Sequence, residues 1–338
     1  MHGENLTAKK QKTAEKGINT LPLYILLVVL FVIYILFQSV SAISSIVGIA
    51  LFLVIIVLIL LEVMNGFKEE GLGKNLLEIG LAVLAVVVFW FALEFLLHTS
   101  YPLDVVPSCS MLPNLKRGDL IVLEGTQGVK GIKAPIIDIS NATYQSFQNN
   151  IQNEFLSCVA YNQTGNRATI SQLIKPGYQL GLYKSSGQSG GEIVPQTFEG
   201  TNLIKYTCGR QQIVYTNGTS AYEAYTSSVT INGTTLYGDA NNSVVVYATI
   251  PKDYFYQLGD TYIVHRAYAV LNVSGAYYVL TKGDNNPGLD LQYANYPSPT
   301  NSVEGRVLLS IPYLGYLKLV LSNSFVEPAG CNSTVQQN

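Results

Sequence analysis

A serine hydroxyl is a weak nucleophile as it stands and needs a neighbouring base to take its proton. Histidine suits that task, because its ordinary pKa of about 6.5 lets it accept and return a proton near neutrality. The sequence holds only three histidines. His2 lies at the extreme N-terminus and His98 closes a long apolar run. That leaves His265, which ends the run Tyr262-Ile263-Val264, as the candidate base. Two carboxylates that could hold its ring follow, Asp284 within Thr281-Lys282-Gly283-Asp284-Asn285-Asn286 and then Asp290. A carboxylate on the second ring nitrogen fixes the tautomer and stabilises the imidazolium. Candidate hydroxyls stand earlier, in Pro107-Ser108-Cys109-Ser110-Met111-Leu112-Pro113, where Cys109 offers a rival thiol.

The stretch Pro107 to Asp119 resembles the nucleophile box of the signal peptidase I family: a Ser-Met dipeptide, Pro two residues after the Met, then Gly118-Asp119 leading into a strand. His265-Arg266 and the Thr281 to Asp290 segment resemble boxes of the archaeal and endoplasmic-reticulum branch. Gly305-Arg306-Val307 with Ile311-Pro312-Tyr313-Leu314-Gly315 is similar to the last box. The resemblance implies Ser110 as nucleophile and His265 as general base, at the place where bacterial members have a lysine. It implies Asp290 as the residue that orients His265 and Asp284 as support, with the reverse order left open. For the oxyanion it implies the Ser110 backbone N–H and the Ser108 hydroxyl. Cys109 departs from the family, which commonly has Gly there. The implied activity is a serine endopeptidase that removes signal peptides from secreted preproteins by acyl-enzyme hydrolysis, with no cofactor and no metal.

Elements able to position such a site begin with three apolar stretches, Leu21 to Val40, Ile46 to Met64 and Leu76 to Leu97. A helix of about 20 residues rises about 30 Å, the thickness of a bilayer's hydrocarbon. Glu62, Glu78 and Glu94 fall toward the ends of these stretches. Lys9, Lys10, Lys12 and Lys16 precede the first stretch, and Lys68 and Lys74 separate the second from the third. The positive-inside rule then places everything after His98 outside the cytoplasm. Val40-Ser41-Ala42 also permits a cleaved leader. The expectation is a multi-pass protein of the cell membrane with an extracytoplasmic catalytic domain.

Beyond His98 the chain turns Tyr-, Thr- and Asn-rich, with β-branched runs such as Ser243 to Ile250 between Gly-containing turns. The expected fold is mainly β: a signal-peptidase-like β catalytic core on an anchor of three transmembrane helices, with an inserted β-rich domain. Its divisions are a tail at 1–20, the helices at 21–97, core at 98–125, the insertion at 126–258, core again at 259–322 and a tail at 323–338. Asn-x-Ser/Thr acceptors at Asn141, Asn162, Asn217, Asn232, Asn241, Asn272 and Asn332 suit a glycosylated exterior. Cys158 and Cys208 could close a loop worth about 4 kcal/mol, or stand as free thiols. The net charge of −2 gives no hint of a nucleic-acid partner. Expected partners are signal-peptide-bearing preproteins and the lipid bilayer, with the protein translocation channel as a further candidate. A non-catalytic, membrane-anchored surface glycoprotein with a vestigial peptidase core is the alternative.

Overall fold

The computed structural model describes residues 19–36, 47, 50–51, 53–62, 72–151, 154, 158, 197–199, 201, 203–322, 327–328 and 330–336. It divides into two compact units, Met1–Ala92 and Leu93–Asn338.

The first unit corrects the expected anchor. Among the described residues, no helix is long and apolar enough to cross a membrane. The first stretch is helical over Leu21–Leu36, and this described helix of 16 residues rises about 24 Å, less than the hydrocarbon thickness; residues 37–40 lie outside the described residues. The helix Leu72–Leu97 is longer, at 26 residues, but Lys74, Glu78 and Glu94 interrupt it. Its uncharged run between Glu78 and Glu94 rises only about 22 Å. The second stretch lies partly outside the described residues. The three transmembrane helices of the expected fold class, and the multi-pass membrane location that followed from them, are therefore set aside. Within the unit, Glu62 accepts hydrogen bonds from Thr20 (2.7 Å) and Tyr24 (3.3 Å).

The second unit is built on β-sheets. Its larger sheet has the order β1 (Leu103–Val105), β2 (Leu120–Glu124), β12 (Val303–Ile311), β8 (Val244–Ala248), β9 (Tyr262–Val273), β10 (Ala276–Lys282), β11 (Ser298–Pro299). β3 (Ile136–Ile139) pairs in parallel with the far end of β9. Its neighbours otherwise run antiparallel, and the β9–β10 hairpin turns at Ser274-Gly275, both at positive φ. β8 is β-branched at three of its five residues, and most of β9 is buried along with it, since both faces of these central strands are covered.

The smaller sheet comprises β4 (Thr197–Glu199), β5 (Ile204–Tyr215), β6 (Ser220–Ile231), β7 (Thr234–Tyr237) and β13 (Ser333–Val335). Segment 126–258 is thus shared between two sheets: β3 and β8 join the larger one, whereas β4 to β7 form the smaller. Ser333–Val335 are likewise tied in, since β13 pairs with β5. One core joins the sheets, in which Tyr206, Val229 and Ile231 pack with Leu271, Leu280 and Leu289. A separate cluster of Val106, Met111, Leu115, Ile121, Leu123, Val246 and Val264 underlies the segment between β1 and β2. Cys158 and Cys208 form a disulfide.

Gly125 follows β2 where the chain passes close to the end of the long helix. Its N–H donates to the Leu97 carbonyl (2.7 Å), and a Cβ there would run into the His98 carbonyl oxygen. Backbone cannot yield as a flexible side chain can, so Gly125→Ala is expected to destabilise the unit by about 1–3 kcal/mol in denaturant unfolding. An unchanged midpoint would contradict this close approach.

Candidate active site

The segment between β1 and β2 is locked by its own backbone. Val106 N–H donates to Asp119 (3.0 Å), Gly118 N–H to Val106 (2.8 Å) and Leu115 N–H to Met111 (3.0 Å). Met111 is fully buried in the cluster beneath, which gives the Ser-Met pair a physical meaning: the Met anchors and the Ser is presented. Asp119 works structurally, accepting from the N–H groups of Lys116 (2.8 Å) and Tyr313 (3.3 Å). Burial raises its pKa against those hydrogen bonds. Gly118 sits at φ 86° with the Tyr316 ring where a Cβ would be, and Gly315 N–H donates to the Gly118 carbonyl (2.8 Å). The first and last of the sequence segments singled out above are therefore one structural corner.

Ser110 meets His265 across a sequence separation of 155, its Oγ lying 2.9 Å from Nε2. His265 projects from β9, where it opposes Val245 of β8. Its Nδ1 lies 2.7 Å from Asp290 Oδ2. Asp290 is the first residue of a 3-10 turn, Asp290–Tyr293, and its carbonyl accepts from Asn295 through both the backbone N–H (3.1 Å) and Nδ2 (3.2 Å). His265 and Asp290 are 3% and 2% exposed, so water does not compete for this pair.

Asp290 Oδ2 also accepts from Thr281 Oγ1 (2.5 Å) and the Tyr247 hydroxyl (2.9 Å). Burial pushes the Asp290 carboxyl up, but the His265 charge and the hydrogen bonds from His265, Thr281 and Tyr247 outweigh it and hold the pKa below the ordinary value. Burial and the Asp290 charge drive the Tyr247 phenol well above its usual range, so it stays protonated and donates. An ionised Asp290 requires Nδ1 to carry the ring proton. Nε2 is then the bare nitrogen, and Ser110 Oγ–H donates to it.

Asp284 lies elsewhere. Its carboxylate pairs with Arg266 through Nε (2.8 Å) and Nη2 (2.7 Å) and accepts from Asn114 (2.7 Å). Arg266 in turn donates to the carbonyls of Ala240 and Asn242 (both 2.7 Å). This network fixes the approach to β8 and the turn after β10, and it leaves the imidazole to Asp290. Ser108 Oγ is 3.2 Å from Ser110 Oγ. Cys109 is joined to Cys331 in a disulfide, so its sulfur is no thiol nucleophile.

Tyr247, Thr281 and Asn285 carry contacts that the sequence reading assigned to no residue. Thr281 and Asn285 stand within a segment already singled out; opposite Leu280 and Thr281 the β9–β10 register shifts, with Tyr268 of β9 as the added residue. An added residue on one strand turns the following side chains to the other face. Asn285 N–H donates to the Ser110 carbonyl (2.7 Å), and a Cβ on Gly283 would stand 2.8 Å from the same oxygen.

No family model matches this sequence, and no curated protein and no solved structure matches it either.

Because the folded state holds the Asp290 pKa below its unfolded value of about 3.9, the stabilisation it contributes is complete above that value. It is lost as pH falls through the lower folded pKa. Denaturant unfolding should find wild type more stable than Asp290→Asn by a steady margin above about pH 5, shrinking below about pH 4. A margin unchanged at still lower pH would contradict an ionised Asp290.

Proposed function

We propose that this chain is a serine endopeptidase of the signal peptidase I type, which removes signal peptides from preproteins through an acyl-enzyme. The observation that carries the hydrolase reading is the unbroken series Ser110 Oγ, His265 Nε2, His265 Nδ1, Asp290 Oδ2, with steps of 2.9 and 2.7 Å around the ring. The substrate class rests on the four ordered segments that resemble that family.

His265 Nε2 takes the hydroxyl proton as Ser110 Oγ attacks the scissile carbonyl carbon. Asp290 stabilises the imidazolium so formed, without itself taking the proton. The Ser108 hydroxyl and the Ser110 N–H donate to the oxyanion; one such donor is typically worth about 3–4 kcal/mol. The imidazolium then gives its proton to the leaving amine, and the carbonyl carbon stays on Ser110 as an ester. Water, deprotonated by the same imidazole, hydrolyses that ester. Small side chains before the scissile bond, as in Ala-x-Ala, fit shallow apolar pockets.

The test is cleavage of a preprotein with an Ala-x-Ala site by the full chain. Ser110→Ala and His265→Ala should each lower kcat by about 10⁴-fold or more. Cleavage retained by purified Ser110→Ala would sink the proposal. A paired comparison separates the two carboxylates: Asp290→Asn should cost about 10⁴-fold, by the tautomer argument. Asp284→Asn should cost far less, since its carboxylate touches Arg266 and Asn114 and not the imidazole. Equal losses would refute that division of roles.

A further inference from the structure

We infer that the C-terminal segment ending in β13 is a positioning element for the nucleophile, acting through the Cys109–Cys331 disulfide and Asn285. This inference rests on the peptidase reading above. Cys109 immediately precedes Ser110, is 6% exposed, and is bonded to a partner 222 positions later. Asn285 makes a second, non-covalent connection between the same two segments. Its Nδ2 donates to the Cys109 carbonyl (3.2 Å) and to the Ser333 carbonyl (3.0 Å), and its Oδ1 accepts from Val335 N–H (2.8 Å). Its own N–H holds the Ser110 carbonyl. All four contacts converge on two consecutive residues of the nucleophile segment and on the segment from 331 to 335.

That segment is itself fixed to the smaller sheet. Ser333, Thr334 and Val335 pair with Tyr215, Val214 and Ile213 of β5. Asn332 and Gln336 continue the attachment, with the Asn332 carbonyl accepting from Thr216 N–H (2.9 Å) and Gln336 N–H donating to Gln212 (2.9 Å). The smaller sheet is thereby tied to the main chain at Cys109 and Ser110. Serine has one χ1 torsion, so the place of Oγ is set by where the backbone at 109–110 is held. A displacement of about 1 Å at the reacting atom can cost on the order of 10²-fold in rate. The disulfide and Asn285 supply that constraint without touching substrate.

The experiment compares four full-length proteins in preprotein cleavage: wild type, Cys109→Ala/Cys331→Ala, Asn285→Ala with both disulfides intact, and Cys158→Ala/Cys208→Ala as a control for losing a disulfide elsewhere. The first two variants should lose kcat on the order of 10²-fold with KM little changed, and the control should keep the wild-type kcat. The same preparations are followed by amide hydrogen exchange over residues 107–113, which should quicken in the first two variants alone. Should the double-cysteine variant fail to fold, Asn285→Ala carries the comparison. Wild-type kcat in Asn285→Ala or in the double-cysteine variant, or unchanged exchange over 107–113, overturns the inference. A wild type that does not cleave overturns the peptidase reading instead, and the exchange measurement still decides whether the tail holds the segment.

Discussion

The buried Asp290 carboxylate is the interaction on which the rest of this structure depends. A carboxylate removed from water is tolerated only if donors replace its hydration. Here three converge on one oxygen: the His265 ring, the Thr281 hydroxyl and the Tyr247 phenol. Each comes from a different strand, β9, β10 and β8, so the charge can be buried only when those three strands are in register. Among the described residues the second oxygen, Oδ1, is buried and has no hydrogen-bond partner, which concentrates the compensation on the atom facing His265. The same arrangement fixes the ring's proton on Nδ1 and frees Nε2 for Ser110.

Around that charge, polar contacts between distant segments hold Ser110 and His265. Asp119 and the two glycines Gly118 and Gly315 bring the turn before β2 against the chain that follows β12. Asp284 and Arg266 secure the turn after β10. Asn285 then reaches from that turn to the Cys109–Ser110 segment. These groups lie near the chemistry and resemble catalytic residues in type. Their hydrogen bonds show them spent on backbone and on each other, which is why Asp284 and Asp290, six positions apart, have such different surroundings.

The apolar N-terminal region shows how far composition alone can carry an argument. A run of apolar residues announces a helix and its length in residues, but spanning depends on uninterrupted apolar length along the axis. Glu78 and Glu94 divide the longer helix where a residue count sees one stretch. The smaller sheet makes a similar point. Tyr- and Thr-rich composition signals strands without naming their partners, so β3 and β8 read as neighbours of β4 to β7 although they pair with β9.

By itself the sequence determined the mainly β character beyond His98 and singled out Ser110, His265, Asp284 and Asp290. The scarcity of histidine pointed to His265; Ser110, Asp284 and Asp290 were implied by the resemblance of their segments to the signal peptidase I family. It left open which aspartate meets the imidazole, because both follow one strand closely and their separation along the chain says nothing about direction. Tertiary structure decided that, because the 3-10 turn carries Asp290 onto the imidazole while Arg266 takes Asp284. It also decided the roles of Tyr247 and of Cys331, for neither has any local signature. Their parts arise from strand pairing and from a crosslink spanning most of the unit, and such contacts exist only once distant segments share a core.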